Sequence, residues 1–151
     1  TQAIGKLFEL TMIQKYPEDA SDRFVAFDTI CDATQVRQDA IQEMIQDPKV
    51  EELDFILVVG GFDSSNTAHL VEIPHDAGKT VFHINEGDCI REDNSVKHRL
   101  LNGDVVIEND WLPADRPLKI GVTSGASTPD AYVQDALERL VLLKAAISSA
   151  A

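Results

Sequence analysis

Runs of consecutive apolar residues alternate along this chain with segments whose apolar positions recur every three or four residues. That alternation predicts an α/β fold. Ile4, Leu7, Phe8 and Thr11 recur at helical spacing and predict a first helix that ends near Tyr16-Pro17. The polar stretch 18–22 reads as a loop, and the aromatic and β-branched stretch 24–30 reads as a strand. Thr34 is placed to cap a helix whose buried stripe would be Val36, Ala40, Ile41, Met44 and Ile45, with Pro48 ending it. Residues 53–59 are nearly all apolar, as expected of a strand covered on both faces. Gly60-Gly61 breaks that strand, and a short helix is expected from Ser65 or Asn66 to Ile73, stopped by Pro74.

Further along, 80–84 reads as a strand, 85–94 as an acidic irregular stretch, 95–101 as one or two helical turns, and 105–107 as a short edge strand. The last strand is expected at 118–123. A closing helix would take Thr128 as its cap, with Pro129 at its first position and Asp130 beside it. Val133, Leu137, Leu140, Val141 and Lys144 would mark one face of that helix. Repeated strand-to-helix order implies right-handed crossovers and a mainly parallel sheet between helices, a three-layer domain.

Three strand-to-helix turns carry more polar side chains than a helix start needs: Cys31-Asp32-Ala33-Thr34-Gln35, Asp63-Ser64-Ser65-Asn66-Thr67 and Gly125-Ala126-Ser127-Thr128-Pro129. A parallel sheet gathers such turns along one edge, where ligands bind. A helix N-terminus offers unpaired N–H groups and about half a positive charge, which attract anions. One cap residue would satisfy each helix, so the surplus hydroxyls and amides point to an anionic ligand such as a diphosphate. Against this, Ser64-Ser65-Asn66 could simply cap a helix.

The chain has 151 residues, 44% hydrophobic and 26% charged, with a net charge of −13. Such a charge disfavours nucleic acid and anionic membranes as partners. It also means that an anion must be held by local dipoles and hydroxyls rather than by the overall field. No apolar run is long enough to span a membrane. Two cysteines are too few for a disulfide scaffold. Cys31 sits at a strand-to-helix turn; it reads either as an inert core thiol or as one activated by the helix dipole for metal binding or nucleophilic attack. Cys89, in the acidic stretch, reads as incidental. His69, His75, His83 and His98 show no metal-ligand spacing.

Taken together, Phe27-Asp-Thr-Ile-Cys-Asp-Ala-Thr-Gln35, Val58-Val-Gly-Gly-Phe-Asp-Ser-Ser-Asn-Thr67 and Gly121-Val-Thr-Ser-Gly-Ala-Ser-Thr-Pro-Asp130 resemble the 4-hydroxy-3-methylbut-2-enyl diphosphate reductases, the IspH or LytB family, in its cyanobacterial and plastid branch. The resemblance runs from near Thr1 to about Leu140. It implies one of three similar α/β domains around a [4Fe-4S] cluster, in an oxidoreductase of the methylerythritol phosphate route that makes isopentenyl and dimethylallyl diphosphate. It further implies that Cys31 is a cluster ligand and that Ser64, Ser65, Asn66 and Ser127 hold the substrate diphosphate. Thr34 would lie near cluster and substrate in a catalytic role. Ferredoxin or flavodoxin would donate electrons, in a plastid stroma or a cyanobacterial cytoplasm.

Only one of the family's cysteines is present, and none of the four histidines falls on the family's histidine positions. Residues 1–25 are therefore expected to be the tail of a preceding domain and 26–151 the C-terminal α/β domain. Further N-terminal domains would complete the enzyme, and the isolated chain would be catalytically incomplete. The alternatives are a cluster-free module that binds phosphate or diphosphate, and an inert folded fragment.

Overall fold

A computed structural model describes residues 2–25, 31–48 and 53–150. The chain forms two compact units, Thr1–Cys31 and Asp32–Ala151. The first contains helix α1 (Gln2–Lys15) and a four-residue helix, α2 (Ala20–Arg23), inside the stretch expected to be a loop. Asp19 holds the Arg23 guanidinium at 2.7 Å, one helical turn away, a pair that favours that extra turn by about 0.2–0.5 kcal/mol. Most of the strand expected at 24–30 lies outside the described residues. Phe24 itself is extended, with φ −146° and ψ 123°.

The second unit is built on β1 (Phe55–Val59), the middle strand of a parallel sheet in the order β2-β1-β5, where β2 is Val81–Ile84 and β5 is Ile120–Ser124. All five residues of β1 are buried. The strand period of two sends them alternately to two cores. Phe55, Leu57 and Val59 join Phe82, Ile84, Trp111 and Leu112 under the closing helix α5 (Asp130–Ala150). Ile56 and Val58 join Leu70 and Val71 of α4 (Ser65–Asp76) and Ile41 of α3 (Asp32–Gln46). Helices thus cover both faces, the three-layer α/β arrangement the sequence implies. Each buried Val, Leu, Ile or Phe contributes about 1.5–3 kcal/mol relative to exposure.

Five further expectations need correction. Residues 95–101 are not helical: β3 (Ser95–Arg99) pairs antiparallel with β4 (Val105–Asn109). Lys97 and Arg99 suit a helix, but Val96 and His98 are buried while Lys97 is exposed, a period of two that becomes decisive once β4 pairs alongside. α4 runs past Pro74, which is buried inside it, and continues to Asp76 because the proline stands in the last turn. In α3, Ile41 is buried and Met44 and Ile45 half-buried, but Val36 and Ala40 are exposed. In α5, Leu137 and Val141 are exposed; the inner stripe is Val133, Ala136, Leu140, Leu143 and Ile147. Fully buried Ala136 sets that phase, because a small side chain lets α5 lie against the turn Gly87–Cys89. Cys89 is buried in the same core rather than sitting in a solvated loop.

His83 and His98 are both buried. The His83 Nε2–H donates to the Gly60 carbonyl at 2.9 Å. His98 meets the Phe82 ring edge-on at 5.0 Å and has Glu108 Oε2 3.4 Å from Nε2, without hydrogen-bond geometry. Burial holds both imidazoles below the ordinary 6.5, against an opposing pull from Glu108 on His98 and from the Gly60 carbonyl on His83. Groups depressed in this way stay neutral when folded but take up protons when unfolded. Their stabilisation is therefore complete above pH 6.5 and lost as pH falls below it. The urea midpoint should drop between pH 7.5 and 5.5, and it should drop less in His98→Phe; an equal or larger drop in the variant would contradict this assignment.

Candidate functional site

Because the three strands are parallel, their C-terminal ends share one edge, with Val59 paired to Ile84 on one side and to Ser124 on the other. Both polar turns of this unit leave from that edge. The Gly60 N–H donates to the Ile84 carbonyl at 2.9 Å, and the Gly125 N–H donates to the Val59 carbonyl at 3.0 Å. Thr128 Oγ1 donates to the same Val59 carbonyl at 3.2 Å. Thr128, expected as the cap of the closing helix, stands two residues before Asp130 and turns its hydroxyl to β1 instead. Both lone pairs of one carbonyl thus tie the Gly-Ala-Ser turn to the end of β1.

The serine turn is fixed from three directions. His83 holds the Gly60 carbonyl, an Arg99 Nη1–H donates to the Phe62 carbonyl, and the Ser64 N–H donates to the Gly61 carbonyl at 3.0 Å. Ser64 then caps α4, its Oγ accepting from the Thr67 N–H at 3.3 Å. The capping reading thus holds for Ser64, while Ser65 and Asn66, in the first turn of α4, are exposed. Ser127 is exposed in the turn that Val59 anchors. The fold therefore brings Ser64, Ser65, Asn66 and Ser127 to one end of β1, although the serine cluster and Ser127 lie far apart in the chain.

The helix termini differ electrostatically. α5 and α3 each carry an acid in the first turn, Asp130 and Asp32, which partly neutralises the positive end of the dipole. α4 has none. Asp63 is the residue just before its Ser64 cap.

Thr34 does not cap α3. It is the third residue of that helix and is buried. Cys31 closes the N-terminal unit and is exposed. Among the described residues, no three His, Cys, Asp or Glu side chains group as metal ligands. A four-iron cubane is held by several thiolates, and here one thiol is exposed while Cys89 lies in the core. The described residues do not fit a complete cluster site. Thr67 and Gly125 lie in the polar turns that the sequence marks, whereas no local pattern marks His83 and Arg99 as groups that shape the edge.

A sequence model of the LytB protein family matches residues 1–141. A 4-hydroxy-3-methylbut-2-enyl diphosphate reductase of Nostoc sp. is 50% identical over 146 residues, covering 96% of this chain and 35% of that protein. A chloroplastic enzyme of the same name from Botryococcus braunii is 53% identical over 142 residues, covering 91% of this chain and 28% of its own length. Among solved structures, (E)-4-hydroxy-3-methyl-but-2-enyl diphosphate reductase, titled the terminal enzyme of the non-mevalonate pathway, aligns with a TM-score of 0.51 at 25% identity, over 74% of this chain and 31% of that one. The chain spans about a third of the length of these relatives. With three polar turns in family order and a family match over nearly its whole length, the chain belongs to the LytB protein family.

Proposed function

We propose that this chain supplies the diphosphate-binding part of a 4-hydroxy-3-methylbut-2-enyl diphosphate reductase. The observation that carries the reading is the shared anchor at Val59, which sets the serine turn and the Gly-Ala-Ser turn at one sheet edge beside the N-terminus of α4, whose first turn carries no acid. Ser64, Ser65, Asn66 and Ser127 would hold the diphosphate. Hydrogen bonds to a charged group are worth about 1.5–3 kcal/mol each, and a helix terminus adds about 0.3–1 kcal/mol.

In the complete protein the reaction would remove the substrate hydroxyl as water, taking up two electrons and two protons, and yield isopentenyl and dimethylallyl diphosphate. Ferredoxin or flavodoxin would supply the electrons. Cys31 would be this chain's ligand to a [4Fe-4S] cluster, with the remaining thiolates outside the chain, and Thr34 would stand near cluster and substrate. Cyanobacterial and chloroplastic relatives support a cyanobacterial cytoplasm or a plastid stroma as the setting.

Two substitutions separate binding from capping. Asn66 is exposed, so in the complete reductase Asn66→Ala should weaken pyrophosphate binding about tenfold, or about 1.4 kcal/mol, while leaving the unfolding midpoint unchanged. Ser64→Ala should weaken binding and also destabilise the fold by about 1 kcal/mol through loss of the α4 cap. Unchanged affinity in both would overturn the diphosphate reading. Cys31→Ser should lower the iron and sulfide content of the anaerobically reconstituted protein, and Cys89→Ala should leave it intact. Full iron content in Cys31→Ser would remove Cys31 as a ligand.

A further inference from the structure

The end of β1 and the end of β5 approach each other around two threonines. A Cβ built on Gly60 would stand 2.7 Å from Thr67 Oγ1 and 2.8 Å from Thr128 Oγ1. A Cβ on Gly125 would stand 3.0 Å from Thr128 Oγ1 and closer still to Thr67 Oγ1. Neither glycine can gain a side chain unless a threonine or a turn moves. Thr67 is wholly buried, and among the described residues its hydroxyl has no hydrogen-bond partner. A buried hydroxyl without a partner is costly, and alanine would avoid the cost. Thr128 has a use for its oxygen, the Val59 carbonyl; Thr67 has none of that kind. What Thr67 does have is a position: it is the third residue of α4, its N–H is held by Ser64, and its oxygen lies against both glycines. Its hydroxyl oxygen is the atom nearest to a Cβ at either glycine, so that oxygen works as the spacer.

We propose that Thr67 is a positioning residue of the anion site: wedged against Gly60 and Gly125, it sets the separation of the serine turn from the Gly-Ala-Ser turn, so that Ser64–Asn66 and Ser127 address one ligand. This rests on the diphosphate reading and adds a residue that touches no ligand itself. With the oxygen removed, α4 and the Gly125 turn can slide relative to each other. With a methyl added at Gly125, they are forced apart. With both changes, the added methyl enters the space left by the oxygen and meets the Cβ of residue 67 at 3.5 Å, which leaves Thr128 Oγ1 at 3.0 Å as the remaining tight neighbour.

The test is a double-mutant cycle of Thr67→Ala and Gly125→Ala in the full-length reductase. Pyrophosphate affinity, kcat and KM for the diphosphate substrate, and the urea midpoint are all read. Each single change should weaken pyrophosphate binding about tenfold and raise KM more than it lowers kcat. The double variant should bind at least as well as the weaker single, far from the roughly hundredfold loss of independent sites. Thr67→Ser, which keeps the oxygen, should stay within about threefold of the parent. Additive losses overturn the inference, as does unchanged affinity in variants whose urea midpoint falls, since that marks a purely structural role. If Gly125→Ala does not fold, the pair Thr67→Ala and Thr67→Ser decides: equal affinities in the two overturn the proposal. A parent that leaves pyrophosphate unbound overturns the diphosphate reading, and the inference with it. A parent that binds, combined with an additive cycle, overturns the inference alone.

Discussion

The carbonyl of Val59 is the group on which the rest of the site depends. It ends the middle strand of a parallel sheet and accepts both the Gly125 N–H and the Thr128 hydroxyl. A carbonyl has two lone pairs, and both are used here. One turn is thereby hung on the same residue from which the other begins. The buried strand holds that residue in place: its five consecutive buried side chains are split between two cores.

Electrostatics decides how such an edge can work in a chain of net charge −13. Long-range attraction is unavailable to an anion, so binding must come from groups within a few ångströms, where N–H dipoles and hydroxyls act strongly. The helices are graded accordingly: Asp32 and Asp130 occupy the first turns of α3 and α5, and the first turn of α4 is free of acids. The Arg99 guanidinium donates to the Phe62 carbonyl and stiffens the serine turn from behind. Its contribution there is to geometry.

Much of this was legible in the sequence because it rests on strong local signals. The run 53–59 could hardly be anything but a doubly covered strand, and the polar surplus around Ser64–Asn66 and Ser127 stands out against the need of a single cap. Other features were set by distant partners. The segment from Ser95 to Arg99 becomes a strand through Val105–Asn109, a pairing that no helix propensity reports. The phase of α5 follows Ala136, whose small size matters only beside the Gly87 turn. Thr67 closes a marked polar turn, but its meaning lies in two glycines, one seven residues before it and one far along the chain. Cys31 and Thr34 were singled out by a motif; Cys31 is exposed and Thr34 is buried.

Amide chemical shifts of the isotopically labelled chain, followed during a pyrophosphate titration, test the central claim most directly. If one anion site spans both turns, the amides of Ser65, Asn66 and Thr67 and those of Ala126 and Ser127 move together and saturate with one dissociation constant. Two different constants, or movement confined to a single turn, would contradict a shared site at the end of β1.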